Sequence, residues 1–257
     1  VWTHEPHLPI ESAEEFMKPY AGIKDEGIRQ HHGNITQLDH AFGILMKALD
    51  ELGLRNDTVV FFTSDNGPEG RGTTGRTRGS TGGLRGRKRD SHEGGIRVAG
   101  LVRWPDRIMP GSVSDVPVIG SDIFSTVLDI TDIPLPADRT IDGVSMIPAF
   151  DDKPLKRPVP LFWRTHVAPT NSHAALRMGD WKLVSNKSFD KFQLFQIQKD
   201  WKEEHDLAAE KVEKLEEMKE VFFKVLEGIE KEGPSEWWKN EPPRRKKPRK
   251  KKTASGN

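Results

Sequence analysis

The segment TVVFFTSDNGPEG, residues 58–70, constrains the fold of this chain more than any other. Residues 58–63 are β-branched or aromatic without alternation and too few for an ordinary helix, which predicts a strand buried on both faces, as in a parallel sheet. The strand runs straight into Asp65-Asn66-Gly67. In open α/β sheets the chemistry collects outside the carboxyl ends of strands, where loops hold polar groups against a rigid scaffold. Asp-Asn-Gly is also good turn chemistry whatever its task, so the segment alone leaves a plain Asx turn and a functional site both open.

The flanking sequence supplies the rest of an α/β unit. Ile35, Leu38, Phe42, Leu45, Leu49 and Leu52 recur at three- and four-residue steps, the pattern of one apolar helix face, and Gly53 can end that helix. A loop rich in Gly and Arg spans residues 67–90, and a short strand is predicted over residues 96–103. Ser121 can cap a further helix whose Ile123, Phe124, Val127 and Leu128 would face inward. Helix, strand, loop, strand, helix is the order of an α/β domain, assigned to residues 1–150.

From about residue 151 the pattern changes. PLFWRTH, HAALRM and WKLVSN predict short strands, with Gly179-Asp180 as a hairpin turn. Residues 208–232 carry Val212, Leu215, Met218, Phe222, Val225 and Ile229 on one helical face. Residues 151–240 therefore read as a small antiparallel sheet with a covering helix.

Composition narrows the class. The 257 residues are 34% hydrophobic, enough for a core, and the mean hydropathy of -0.66 with no 18-residue apolar run excludes a helical membrane span. With no Cys there is no disulfide, thiolate metal site or Cys nucleophile. Eight of the 40 Lys and Arg lie in RRKKPRKKK, residues 244–252, which leaves 32 against 39 acidic residues in the body, a net of −7. Residues 241–257 are expected to be a disordered basic tail, attractive to anionic polymers or serving only as a solvated arm. The opening VWTHEPHLPI has no initiating Met and reads as the end of a strand, so the chain is expected to be the carboxyl-terminal part of a longer protein.

Four polar clusters stand out: His4 and His7 in HEPHLP, Asp65-Asn66, Lys88 in GRKRDSHEGG, and Glu93 followed by Gly94-Gly95. Together with TQLDHAFGILMKAL and the later WKLV, they resemble the second half of the sulfatase family in the alkaline phosphatase superfamily, over about residues 1–230. The resemblance implies part of an alkaline-phosphatase-like mixed sheet flanked by helices. It also implies that Asp65 and Asn66 are metal ligands, and that Lys88 and His7 are catalytic and contact the sulfate. Asp and Asn offer hard oxygen donors, which favours Ca²⁺, or Mg²⁺, over Zn²⁺. A sulfate ester needs compensating charge, and its leaving alcohol a proton donor, for which His7 is the candidate.

Glu93 and the paired glycines are expected to shape the backbone rather than do chemistry. His4 is a further candidate ligand, and His92 stands where the family often has an aromatic, which leaves a substrate-facing role open. Arg71, Arg76, Arg78, Arg85 and Arg87 suggest an extended anionic partner such as a sulfated polysaccharide, with aryl sulfates open as well. The family's nucleophile is a formylglycine made from Cys or Ser in a C/S-x-P/A-x-R motif, and this sequence contains no such motif. The chain alone is thus expected to be inactive and to belong to a sulfatase, the alternatives being a phosphomonoester or phosphonate hydrolase of the same superfamily, or a non-catalytic anionic-glycan-binding module. Export, to the periplasm or outside the cell, is what the resemblance implies for location.

Overall fold

The computed structural model describes residues 1–7, 9–69 and 79–233. The glycine- and arginine-rich residues 70–78, with Arg71, Arg76 and Arg78, and the basic tail of residues 241–257 lie outside the described residues. A short helix α1 (Glu14–Met17) leads into the long α2 (Glu26–Glu51). Asp25 starts α2 by accepting from the Ile28 amide at 3.0 Å, a side-chain cap that satisfies one of the helix's orphan donors. Ser12 binds α2 twice, its hydroxyl donating to Gln30 O at 2.7 Å and its amide donating to Gln30 Oε1 at 2.9 Å. Phe42 of α2 meets Phe62 edge-on with ring centroids 5.3 Å apart, which sets the helix against the strand that follows it.

That strand, β1 (Val60–Thr63), forms as the residue pattern predicts but pairs otherwise. It runs antiparallel to β2 (Gly100–Arg103), with Val60 opposite Arg103 and Thr63 opposite Gly100, so the parallel pairing expected of it is not what the described residues show. An apolar run reports burial, and its first three residues are half-buried here, but it carries no information about the direction of the neighbour. Between β1 and β2 the chain turns through the short helix α3 (Glu93–Ile96).

Helix α4 (Ser121–Ile130) departs further from expectation. Neither Ser121 nor any other side chain caps it; Asp122 in its first turn instead ties it to flanking segments, accepting from the Ile119 amide at 2.8 Å and the Val144 amide at 2.9 Å. The face turned inward is polar, namely Asp122, Ser125 and Thr126, whereas Phe124 and Val127 are exposed. Hydrogen bonds hold this face: Ser125 donates to Gly143 O, Thr126 accepts from the Met146 amide, and Arg157 grips both oxygens of Asp122 at 2.9 and 2.6 Å. A bidentate pair of this kind orients the helix more specifically than an apolar contact would.

The carboxyl-terminal sheet matches its prediction. Strands β3 (Leu161–Arg164), β4 (Ala174–Met178), β5 (Trp181–Ser185) and β6 (Phe192–Gln196) form an antiparallel meander in the order β3-β4-β5-β6. Gly179-Asp180 makes the two-residue turn between β4 and β5, with Gly179 at φ 56°. Strand β6 is an addition to the sequence reading. Its signal was available in FQLFQ, where Leu194 and Phe195 are buried on opposite faces.

One face of the sheet, with Ala174, Leu176, Leu183 and Leu194, packs on Met218, Phe222 and Leu226 of α5 (Val212–Glu232). The other face, with Ala175, Val184 and Phe195, turns toward the loop that leads into α3. Phe222 is fully buried and touches the rings of Phe162, Phe189, Phe192 and Phe223. Replacing Phe222 with Ala is therefore expected to lower the unfolding free energy by about 3–5 kcal/mol, read by denaturant titration.

Candidate functional site

Asp65 and Asn66 leave the end of β1, and the turn they begin is tied to the next loop by backbone hydrogen bonds. The Gly67 amide donates to Gly95 O at 2.9 Å, and the Lys88 amide donates to Pro68 O at 3.0 Å. These two bonds tie the 65–68 turn to the loop of residues 85–95 from both ends. The contact is so close that a Cβ on Gly67 would lie 1.9 Å from Gly94 O, and one on Gly94 would lie 2.3 Å from Gly86 O. Only glycine fits such an approach. The structure thus brings the Asp65-Asn66 and Lys88 segments together.

The side chains carry the chemistry. Asp65 is exposed, and its carboxylate forms no hydrogen bond or ion pair among the described residues. Asn66 is half-buried, and its Nδ2 donates to Gly67 O at 2.9 Å, so its Oδ1 is the acceptor left over. An unpaired carboxylate beside a fixed amide oxygen is a donor set that suits a hard divalent cation. The Lys88 ammonium is largely buried, with Glu69 Oε2 at 3.7 Å. Arg89, at φ 79°, also pairs with Glu69, and that hydrogen bond pushes the guanidinium pKa up.

His4 and His7 occupy an exposed turn in which the His7 amide donates to His4 O at 2.7 Å and the two rings meet edge-on with centroids 5.8 Å apart. This turn is tied to α2 through Gln37, whose Nε2 donates to Glu5 Oε1 at 3.2 Å. Next to the 65–68 turn, α2 contributes a histidine that the sequence reading passed over. His31 lies against Gly79, and burial together with His32 lowers its pKa.

The loop of residues 85–95 is pinned on its far side to the four-stranded sheet. Asp90 is buried and accepts from the Arg87 amide at 3.0 Å, from the Thr170 amide at 3.0 Å and from the Thr170 hydroxyl at 2.7 Å. The Ser91 amide donates to Ser172 O at 3.1 Å. Glu93 is buried, accepts from Lys182 Nζ at 2.8 Å, and donates its amide to Glu203 Oε2 at 2.7 Å. Glu93 and its glycines therefore shape the backbone, as expected of them. Lys182 and Glu203 were missed, although a lysine inside the apolar strand WKLV was a visible signal.

Two expectations change. His92 is only 1% exposed, packed beside Phe195 and Thr170, so the substrate-facing role left open for it does not hold. Burial, with the Lys182 and Arg85 cations nearby, pushes its pKa down to about 3. Arg85 and Arg87 are engaged within the fold, since Arg85 donates to Glu203 O at 3.1 Å and lies over Phe195, and Arg87 donates to Gly79 O. Asp200, Glu204 and His205 also cluster, but both Asp200 oxygens already accept the amides of the other two, at 3.0 and 2.9 Å, as a turn cap.

The chain matches the Sulfatase family over residues 1–133 and the family described as N-sulphoglucosamine sulphohydrolase, C-terminal, over residues 86–232. It belongs to the sulfatase family. Human steryl-sulfatase is 37% identical over 150 residues, which cover 57% of this chain and 25% of that protein. Human arylsulfatase A is 35% identical over 147 residues, covering 57% and 27%. The crystal structure of Ps i-CgsB in complex with k-i-k-neocarrahexaose matches with a TM-score of 0.75 at 27% identity, over 88% of this chain and 48% of that one. The chain thus spans about a quarter of the curated relatives' length and about half of the solved structure's. The alkaline-phosphatase-like α/β fold expected from the sequence is the fold of these structures.

Two predictions follow from the packing of the loops. Gly67→Ala should lower the unfolding midpoint, because the new Cβ collides with backbone, whereas Gly43→Ala, in α2 with open space around it, should raise stability by about 0.5–1 kcal/mol. His92 is held neutral in the fold while the unfolded chain takes up its proton near the ordinary histidine pKa of 6.5, so stability should fall as pH drops from about 6.5 toward 3. In His92→Phe that acid-dependent loss should be smaller, as read from unfolding midpoints across the same pH range.

Proposed function

We propose that this chain is the carboxyl-terminal portion of a sulfatase that hydrolyses sulfate esters of aryl or carbohydrate type. The observation that supports this reading is the pair of backbone hydrogen bonds that ties the segment of Asp65 and Asn66 to the loop of Lys88. Asp65 and Asn66 would hold a divalent cation, Ca²⁺ or else Mg²⁺, and its charge would offset that of the ester when bound. Lys88 contributes an ammonium toward the anionic oxygens, favouring the transition state in which their charge grows. His7 is the proton donor to the leaving alcohol. The nucleophile, a formylglycine, would come from a C/S-x-P/A-x-R motif outside these 257 residues.

The substrate class is an anionic carbohydrate in the first instance. Ps i-CgsB, which shares the fold over most of this chain, is solved with an oligosaccharide. With Arg85 and Arg87 engaged by the fold, the extended anion would be met by other cations. No helix among the described residues is long and apolar enough to cross a membrane, and we place the protein outside the cytoplasm on the strength of the family resemblance alone. The phosphomonoester and phosphonate alternative, and that of a glycan-binding module without turnover, predict different products.

Paired sulfate and phosphate esters of one alcohol, offered to the full-length protein after formylglycine maturation, distinguish the three. Sulfate release exceeding phosphate release is expected; the reverse preference would favour the phosphatase reading, and no turnover the binding module. Lys88→Ala should lower kcat/KM by about 10²–10³-fold, the usual cost of deleting one charge-stabilising group, while Lys187→Ala, exposed in the turn between β5 and β6, should change it less than twofold. Residues 1–257 expressed alone should release no sulfate.

A further inference from the structure

We propose that Lys182 is a positioning residue, through which the four-stranded sheet sets the placement of the Asp65, Asn66 and Lys88 segments. The proposal rests on the sulfatase reading for its kinetic consequence, but its structural basis is independent of it. Lys182 lies on β5, on the sheet face opposite α5, and its side chain is fully buried. Its Nζ is 2.8 Å from Glu93 Oε1 and 2.8 Å from Glu203 Oε1. Glu203 Oε2 in turn accepts the Glu93 amide at 2.7 Å. Three segments distant in sequence, at residues 93, 182 and 203, therefore close into one ring of charged contacts.

A dry ammonium between two carboxylates is a poor device for stability alone. Desolvation offsets much of the attraction, and apolar side chains of similar volume often serve as well. What the ring provides is register. An apolar face tolerates sliding, while Nζ has one location at 2.8 Å from both oxygens. Two carboxylates face one buried ammonium, with Arg97 at 3.6 Å from Glu93 as the only other side-chain cation paired to them among the described residues, and burial raises the Glu203 pKa.

From Glu93 the path to the site consists of backbone. Glu93 opens α3; Gly94 donates to Arg85 O at 2.7 Å, and Gly95 O receives the Gly67 amide, one residue from Asn66. Lys88 sits on the same loop, bonded to Pro68 O. The path runs through main-chain hydrogen bonds, so a shift of Glu93 is expected to move the Asp65-Asn66 turn. An ångström of misplacement in such a site lowers turnover about 10²-fold.

The test compares Lys182→Met, Lys182→Arg and the double variant Lys182→Met/Glu203→Gln in the full-length protein. The double variant removes one ammonium and one carboxylate together, so the fold is not left with an added buried charge. Expected in the double variant are a melting temperature near that of the parent, a kcat lowered about 10- to 100-fold with KM within about threefold, and faster amide exchange at Gly67 and Gly94. Lys182→Arg should recover part of kcat. A kcat that simply follows the melting temperature across the three variants would reduce Lys182 to an ordinary anchor and overturn the proposal. If the parent protein hydrolyses no sulfate ester, the sulfatase reading fails by itself. The exchange rates then decide: unchanged exchange at Gly67 in folded variants sinks the coupling, and faster exchange upholds it.

Discussion

An ammonium removed from water has to be paired, and Lys182 is paired twice, to Glu93 on the loop that carries Lys88 and to Glu203 beyond the sheet. The layers of the molecule follow from this contact. Helix α5 covers one face of the four-stranded sheet by apolar packing, and the 85–95 loop covers the other by polar contacts centred on Lys182, Asp90 and Ser91. The 85–95 loop is thus a layer of the carboxyl-terminal fold as much as of the amino-terminal one. The sulfatase match over residues 1–133 and the carboxyl-terminal family match over residues 86–232 both include residues 86–95 of this loop.

Polar anchoring recurs wherever two segments must meet in one orientation. Asp122 and Arg157 fix α4, whose buried face is otherwise Ser and Thr. Asp90 satisfies both of its oxygens with Arg87, Thr170 and Ser172. Each such group is costly to bury alone and nearly neutral when paired, so the wrong arrangement is penalised far more than the right one is rewarded. Such groups fix the relative placement of the segments they join more than they add stability.

Much of the local structure was legible in residues 58–95. The apolar run of β1 stopping at Asp65-Asn66-Gly67 marked a strand end with oxygen donors, and the paired glycines after Glu93 marked a close backbone approach that the structure places against Gly67. Other features were not legible. Apolar spacing along α4 suggested that Phe124 and Val127 face inward, but the helix is oriented by Asp122, and periodicity cannot weigh a hydrogen-bonded face against an apolar one. Likewise nothing local in HEGG or WKLV says that Glu93 and Lys182 meet, since their contact spans 89 positions.

By itself, then, the sequence determined the longer helices and most of the strands, and that residues 151–233 hold a hairpin-built sheet with a covering helix. Those are properties of short range: residue volume, periodicity and turn chemistry act over a few positions. Tertiary structure alone decided that β1 and β2 run antiparallel, that His92 is sealed in the interior, and that Lys182 joins Glu93 and Glu203. Direction, burial and charge pairing between distant residues depend on where the chain returns in space, and only the assembled packing, with its demand that every buried charge find a partner, sets that return.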